Sequence, residues 1–439
     1  VAILVPKANS KKPQHKFLIV RLFSNMEEGL KCEIKKFTLI FVVAATIIYL
    51  AFALTPAPSE VGSLYYKYAG YMLDFQMPYS DFAAEYPPLA MLWILIPGLF
   101  SFSEISYQVA FGVEAYLFLL AGLVCTYRIA GSYIENPKRL CDLYIVLCLI
   151  MFDFIIDRYD VFPMIMCLAA LYFVKVDRLP LAWVMIAIGT MTKLYPALMA
   201  PVLIIYLCMN GRKMEALKGV GICVLIGCIC MLPFLIADPE TMLMFLTYHM
   251  DRGMQIESVA SSILMLLGHF NIIDIGYIFN YGSDNIYGDV PDAVAGCMLY
   301  LMVIAIVVTY IAYGLKLRDK DQDMFPRFNA ACFAVIMLFI LVNKVLSPQY
   351  IIWMIPFATV IVLFMEPVWK RRFVLLLGIA IGLTQLNMVV NYVIVGIGEP
   401  LTLAGILILI VRNALLIYIL VKVMEMVLKP GDLIAKSEV

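Results

Sequence analysis

Apolar runs separated by short polar turns fill most of this 439-residue sequence. About 20 apolar residues are needed to cross the hydrocarbon core of a bilayer, and about twelve runs approach that length. They cover residues 37–55, 105–127, 139–157, 161–176, 180–193, 196–210, 218–236, 292–315, 328–346, 350–366, 373–395 and 402–424. A mean hydropathy of +0.93 with only 15% charged residues excludes a soluble globular protein and a disordered chain. The sequence therefore predicts an all-α integral membrane protein, a bundle of about 12 transmembrane helices (about 11–13).

Lys and Arg are concentrated in alternate loops, which orients the predicted helices because short cytoplasmic loops are enriched in these residues. The basic loops fall on one side only if the apolar piece 88–103, interrupted by Pro97 and Gly98, does not cross the bilayer. We therefore predict that this piece is a juxtamembrane or re-entrant helix on the outer face. The predicted segments of this multi-pass cell-membrane protein are a cytoplasmic N-terminal segment (1–36), a transmembrane domain (37–424) with large outer loops at 56–104 and 237–291, and a cytoplasmic tail (425–439).

The predicted outer face carries nearly all of the unusual polar motifs, and the first of them is PYSDFAAEYPP at residues 78–88. Asp81 and Glu85 are four residues apart, so on a helix they would share one face. Two carboxylates on one face can act as a general base with a partner, or can bind a divalent metal such as Mg or Mn. The structural alternative is a solvated loop whose paired prolines simply start the next helix.

Cations are disfavoured on the outer face of a membrane protein, yet Arg158, Lys193, Arg252 and Lys344 all lie in predicted outer turns. Structural alternatives exist, since the Asp and Arg residues of the turn at 157–160 could pair with each other and cap a helix, and Lys193 could extend to the interface. Arg252 could lie in an ordinary exposed loop. Four such cations together favour the binding of one lipid-linked phosphate. An Arg side chain can bind a phosphate through two parallel hydrogen bonds.

Hydrogen-bonding side chains accompany these cations. The candidate donor-binding residues are Arg158, Asp160, Lys193, Tyr195, Arg252, Gln255, Glu257, Lys344, Gln349 and Tyr350. Gln255, Glu257 and Ser258 could bind sugar hydroxyls. Tyr350 and Trp353 could instead be aromatic anchors at the interface. The turn-rich NYGSDNIYGD at 280–289 predicts a small hairpin or loop cap.

The 32 Lys+Arg residues balance 32 Asp+Glu residues, so no net electrostatic field favours binding to nucleic acid.

Five motifs in order carry a family resemblance: PYSDFAAEYPPLA, DRYD, TKLYPAL, DRGMQIES and VLSPQYIIW. They resemble the polytopic glycosyltransferases of superfamily C, specifically the family eighty-seven type that uses polyprenyl-phosphate mannose. The resemblance runs from about residue 37 to 424. It implies a superfamily C bundle and an inverting transfer on the outer face, with an acidic residue of the first outer loop as base. That role falls on Asp81, with Glu85 beside it, and the second acidic position matches Asp160, next to Arg158.

The resulting prediction is an inverting hexosyltransferase that moves a sugar, with mannose expected, from a polyprenyl-phosphate donor to a glycan, lipid or protein acceptor. Arg and Lys groups would stabilise the leaving lipid phosphate in a water-poor setting. Membrane lipids are the other expected partners, and the use of a divalent metal stays open. A transporter or flippase of a lipid-linked or anionic solute is the alternative, although its charges should lie near the bilayer midplane.

Overall fold

The structure, a computed structural model, describes residues 27–54, 59–242, 252–316 and 324–428. Parts of the predicted terminal segments and of both large loops lie outside these ranges. The helices are α1 (Glu28–Leu54), α2 (Tyr66–Leu73), α3 (Pro88–Gly98), α4 (Glu104–Ala130), α5 (Lys138–Ile150), α6 (Phe152–Asp157), α7 (Val161–Lys175), α8 (Leu179–Thr192), α9 (Met199–Met209), α10 (Lys213–Ala237), α11 (Val259–His269), α12 (Asp289–Lys316), α13 (Phe325–Leu341), α14 (Ile355–Ile361), α15 (Pro367–Met388) and α16 (Leu403–Leu428). Short 3-10 or π-helical turns lie at Val61–Tyr65, Tyr195–Leu198, Pro348–Met354, Val362–Phe364 and Val389–Val395.

Six of the described helices, α1, α4, α10, α12, α15 and α16, are long and apolar enough to cross a bilayer. Shorter apolar helices, among them α7, α8 and α13, lie between them. Short 3-10 or π-helical turns extend several of the helices within the described ranges. The all-helical membrane bundle predicted from the apolar runs is therefore confirmed.

The two ends of the bundle have different polar contacts. At one end, which we name the loop end, contacts join the segments 59–87, 157–160, 193–195, 252–288 and 343–353. At the opposite end, ion pairs join loops that the sequence shows to be basic, such as Arg128 to Glu27 and Arg212 to Asp177. The unusual polar motifs and the basic loops therefore lie at opposite ends of the bundle.

The short helix α3 follows the paired prolines of the first loop. Pro87 is extended and Pro88 is the first helical residue, where its missing N–H costs nothing. Eleven residues at 1.5 Å each give about 16 Å, well short of the roughly 30 Å hydrocarbon core. Trp93 donates a hydrogen bond to the Thr192 hydroxyl at 2.9 Å, which joins α3 to the end of α8. The length of α3 thus fits a helix that does not cross.

A three-stranded antiparallel sheet covers part of the loop end. Its strands are β1 (Met254–Gln255), β2 (Gly276–Asn280) and β3 (Ser283–Tyr287), in the order β1-β3-β2. Tyr281 and Gly282 both have positive φ, as a two-residue type I′ hairpin turn requires. The hairpin predicted from NYGSDNIYGD is confirmed. Asp284 accepts a hydrogen bond from the Gly398 N–H at 2.7 Å, so the sheet is also joined to the turn before α16.

Candidate active site

The first loop meets the bundle at Ser59, next to the carboxylate of Asp157 at the end of α6. This carboxylate accepts hydrogen bonds from the Ser59 hydroxyl and from the backbone N–H groups of Glu60 (3.2 Å) and Val61 (3.3 Å). These amides open a helical segment and have no partner within it, so Asp157 acts as a cap supplied by another element. Glu60 is thereby fixed beside the turn that joins α6 to α7.

Glu60 has polar partners on both of its oxygens. Oε1 accepts hydrogen bonds from the hydroxyls of Tyr65 (3.0 Å) and Tyr86 (2.9 Å), and Oε2 lies 3.0 Å from Arg158 Nε. Burial, and then the charge of Glu60, raise the pKa of Tyr65 and of Tyr86 well above the usual value, so both hydroxyls remain donors. The side chains of Glu60 and Arg158 are 27% and 23% exposed, so this pair is reachable from outside.

Arg158 pairs with Asp157 as well as with Glu60. Its Nη1 lies 2.6 Å from Asp157 Oδ2, which realises the structural alternative of an ion pair within the DRYD motif. Because two carboxylates flank one guanidinium, the group of three carries a net negative charge. Asp160 stands before the first residue of α7, but its side chain makes no capping bond.

The predicted catalytic pair, Asp81 and Glu85, lies in an irregular turn rather than on a helix. Tyr79 has a positive φ of 72°, and the Asp81 carboxylate closes the turn by accepting a hydrogen bond from the Met77 N–H at 2.6 Å. Asp81 is exposed. Glu85 is half-buried, lies within electrostatic range of Tyr159, and has no hydrogen-bond partner in the described ranges. The two carboxylates therefore do not share one helical face.

Asp160 is almost completely buried, with 1% of its surface exposed, and it contacts Lys193 and Trp353. Its Oδ1 lies 2.7 Å from Lys193 Nζ and accepts a hydrogen bond from Trp353 Nε1 at 2.6 Å. The Lys193 ammonium also lies over the rings of Tyr159, Trp353 and Tyr350, at 4.7, 5.2 and 5.5 Å from their centroids. Aromatic faces attract cations, most strongly where water is scarce. Lys193 is thus a partly buried cation held by one carboxylate and three rings.

Stacked aromatic rings pack next to the ion pair of Asp160 and Lys193. Trp353 stacks on Tyr195 at 4.2 Å and on Tyr350 at 3.9 Å, and all three rings are buried. Trp353 therefore lies inside the protein rather than acting as an interface anchor. Gln349 is half-buried beside Tyr350 in the same 3-10 turn. Four residues predicted from the sequence are brought together here, namely Asp160, Lys193, Tyr195 and Tyr350.

Tyr159 joins this group to Glu60 and Glu85. Its ring lies 4.8 Å from that of Tyr86, whose hydroxyl donates to Glu60, and it also lies beneath Lys193. We name the combined cluster of ionisable residues the loop-end site. Its members are Glu60, Glu85, Arg158, Asp160 and Lys193.

The predicted residues of the second large loop make contacts between loops. Arg252 donates to the Ser283 hydroxyl at 2.8 Å and is 8% exposed. Gln255 donates its backbone N–H to the Lys344 carbonyl at 3.0 Å and accepts from the Ser347 hydroxyl, also at 3.0 Å. The segment 343–353 therefore contacts the sheet through its first residues and Lys193 through its last ones. Residues Tyr248 to Asp251 of this motif lie outside the described ranges.

Glu257 forms a fully buried ion pair with Arg412 of α16. Both side chains are 0% exposed, and Glu257 Oε2 lies 2.7 Å from Arg412 Nη1. Asn413 accepts from the same guanidinium and donates to the Ser262 hydroxyl of α11 at 3.1 Å. Burial raises the pKa of Glu257, while Arg412 opposes this rise. The pair joins the turn before α11 to the last helix of the bundle.

The sequence patterns did not identify Glu60 or Arg412 as candidate site residues. Arg412 could have been identified from the sequence, because a charged residue within an apolar run such as 402–424 is rare and needs a partner. Glu60 is the first acidic residue after the first apolar run, but its partners Arg158 and Tyr86 are distant in sequence. Spacing along the chain therefore cannot identify it.

Among the described residues, no three His, Cys, Asp or Glu side chains gather closely enough to hold a metal ion. Asp81 and Glu85, which the sequence analysis considered as a metal site, form no such group.

We expect Arg412→Met to destabilise the protein strongly, because it leaves the Glu257 carboxylate buried and unpaired. Breaking a buried ion pair in this way costs about 3–5 kcal/mol, whereas removing both charges costs far less. The double variant Glu257→Leu/Arg412→Leu should therefore unfold at a higher temperature than Arg412→Met. The measurement is the apparent Tm of the detergent-purified protein.

The control for this prediction lies on the same helix. Lys422 pairs with Glu425 at 2.9 Å, but both side chains are about one-third exposed. Lys422→Met should change stability by no more than about 1 kcal/mol. A Tm for Arg412→Met as high as that of Lys422→Met would contradict the structural importance of the buried pair.

Two structures of ArnT from Cupriavidus metallidurans are among the solved structures that resemble this chain. The apo form is 15% identical, with 90% of this chain and 76% of that chain covered and a TM-score of 0.48. The form bound to undecaprenyl phosphate is 13% identical, with 89% and 77% covered and a TM-score of 0.47. No curated protein matches the chain in sequence.

The family comparison is decisive. The family described as Glycosyltransferase family 87 matches residues 84–343, which is more than half of the 439 residues. The matched region includes Glu85, Arg158, Asp160 and Lys193 of the loop-end site. This confirms the resemblance seen in the sequence motifs: the chain belongs to glycosyltransferase family 87.

Proposed function

We propose that this family 87 glycosyltransferase moves a hexose, with mannose the expected sugar, from a polyprenyl-phosphate donor to an acceptor hydroxyl. The observation that carries the proposal is the loop-end site, where carboxylates and fixed cations meet in an aromatic setting. Sugar transfer from a lipid phosphate needs a base for the acceptor hydroxyl and a cation for the leaving phosphate. The loop-end site has side chains suited to each task.

Glu60 is the base in this proposal. Two tyrosine hydroxyls and Arg158 fix the orientation of its carboxylate, and a preorganised group needs no rearrangement during the reaction. Asp157 and Asp160 are less suited, since their side chains are only 14% and 1% exposed. Glu85 is the second candidate, because it lies within electrostatic range of Tyr159 and has no hydrogen-bond partner in the described ranges.

Lys193 is the proposed partner of the leaving phosphate. Its side chain is 16% exposed, so its charge acts in a setting with little water, where an ion pair is stronger than in bulk solvent. Arg158 pairs with Glu60, which also binds the Tyr86 hydroxyl, and would add a second cation. Direct substrate binding by the other residues from the sequence analysis stays a prediction, namely Tyr195, Arg252, Gln255, Glu257, Lys344, Gln349 and Tyr350.

The proposed reaction is a single displacement at the anomeric carbon. A bond forms between the acceptor oxygen and this carbon while the bond from the carbon to the phosphate oxygen breaks. The hydroxyl proton passes to Glu60, and the lipid phosphate leaves with the bonding electrons. The sugar carries positive charge in the transition state, which nearby carboxylates stabilise. Attack opposite the leaving group inverts the anomeric configuration.

We expect Glu60→Gln to lower the rate of transfer by about 10²–10⁴-fold, because a positioned base contributes about that much. The assay measures loss of label from polyprenyl-phosphate mannose in membranes that contain the full chain. Asp81→Asn is the matched control and should retain activity, since Asp81 closes a local turn. The Tm of each variant shows whether the fold is kept.

The outcomes of this assay separate the candidates. Loss of activity in Glu85→Gln with activity kept in Glu60→Gln would move the base to Glu85. Full activity in both variants would contradict a base at the loop-end site. Transfer from nucleotide sugars alone would contradict the lipid-linked donor.

We expect Lys193→Gln to lower kcat by about 10²–10³-fold, as does the loss of one charge-stabilising donor in other enzymes. This variant also leaves Asp160 buried without its cation, so the neutral double variant Asp160→Asn/Lys193→Gln is measured beside it. A role in stabilising the leaving phosphate predicts that the double variant stays slow. Recovery of kcat in the double variant would show that Lys193 only balances Asp160.

We also propose that the loop end faces the extracytoplasmic side, because the basic loops lie at the opposite end. A membrane-impermeant thiol reagent applied to intact cells should modify Ser80→Cys and spare Glu135→Cys, both being exposed positions. The background lacks the exposed native thiols Cys32, Cys228 and Cys297. Modification of Glu135→Cys alone would overturn this orientation.

A further inference from the structure

A cavity of about 310 Å³ lies between α2 and the end of α3, outside the loop-end site. Tyr66, Lys67, Tyr71 and Asp74 line it from α2 and the residue after it, and Ser101 lines it from beyond α3. Gly70 forms part of its wall, and a Cβ at this position would meet no atom within 4 Å. The cavity is therefore open space bordered by aromatic rings and polar groups rather than a packing defect.

The polar groups of this cavity are available to a ligand. Lys67 and Asp74 are exposed, and neither forms an ion pair within the described ranges. The Lys67 ammonium lies 5.5 Å from the centroid of the Tyr71 ring. Tyr66 and Tyr71 are half-buried, so parts of their rings face the cavity.

This set of groups matches a neutral pyranose ring. One cation and one anion together give no net attraction to a phosphate or a carboxylate, but they can donate to and accept from sugar hydroxyls. The C–H face of a pyranose can pack on a tyrosine ring, which offers apolar area and a polar hydroxyl. A few polar groups in an otherwise apolar cleft are the usual composition of a small-molecule site.

An aromatic row connects the cavity to the loop-end site. The Tyr71 ring contacts Phe82 at 5.2 Å, and Phe82 contacts Tyr68 at 5.3 Å. The Tyr68 ring in turn lies 6.5 Å from that of Tyr86, whose hydroxyl donates to Glu60. A saccharide whose reacting hydroxyl lies at the loop-end site could therefore place a neighbouring unit along this row.

We propose that the cavity lined by Tyr66, Lys67, Tyr71 and Asp74 is a saccharide-binding subsite for a non-reacting sugar unit of the acceptor. This proposal rests on the proposed function in taking the acceptor to be a glycan. Its consequence is that the enzyme recognises acceptors that already carry sugar. The donor phosphate takes no part in this subsite, since its proposed partner, Lys193, does not line the cavity.

The test is saturation-transfer NMR of the full chain in detergent with methyl α-D-mannopyranoside, methyl α-D-glucopyranoside and methyl α-D-galactopyranoside as probes. Wild type should transfer saturation to at least one of them, and Gly70→Leu should abolish the signal by filling the cavity. Gly221→Leu is the matched control, because Gly221 is also a helical glycine whose Cβ would meet nothing within 4 Å. Asp74→Ala should weaken binding about tenfold, the expected loss of a charged hydrogen-bond acceptor.

Equal hexoside signals in wild type and Gly70→Leu would overturn the subsite, as would displacement of the hexoside by inorganic phosphate. No hexoside signal in a preparation that still transfers sugar from polyprenyl-phosphate mannose would overturn the subsite and leave the proposed function intact. Hexoside binding that Gly70→Leu abolishes, in a protein that uses no lipid-linked donor, would support the subsite while overturning the donor assignment.

Discussion

The pairing of Asp160 with Lys193 and Trp353 holds three separate segments of the chain at one point of the loop end. A carboxylate that is 1% exposed in an apolar bundle is costly unless a cation and hydrogen-bond donors compensate for its lost hydration. The start of α7, the end of α8 and the 3-10 turn before α14 must therefore meet there. Their meeting places the rings of Tyr159 and Tyr350 around the Lys193 ammonium.

The same physical rule explains the contacts around this point. Glu60 shares Arg158 with Asp157, and Glu257 is paired with Arg412, so these buried or half-buried carboxylates are each compensated by a cation. Such pairs fix the first loop and the second large loop against the bundle. The loop-end site gains its geometry from rigid helix ends even though several of its residues lie on loops.

Particular residues show what local patterns could and could not predict. Unusual cations in outer turns led to Lys193, and the neighbouring motifs led to Asp160, Tyr195 and Tyr350, which do lie together. Asp81 and Glu85 would share one face only on a helix, but a positive φ at Tyr79 and the paired prolines keep this stretch irregular. A spacing of four has meaning only where the backbone is helical.

Local patterns were sufficient to predict the apolar helices, the hairpin, the short helix after the paired prolines and the separation of polar motifs from basic loops. Hydrophobic length, turn residues and charge placement are local properties, so they can be recognised along the chain. In contrast, the contacts of Glu60 with Tyr86 and Arg158, and of Glu257 with Arg412, became evident only in the folded protein. These partners are brought together by packing between distant segments, and the strength of each contact depends on burial that no local pattern specifies.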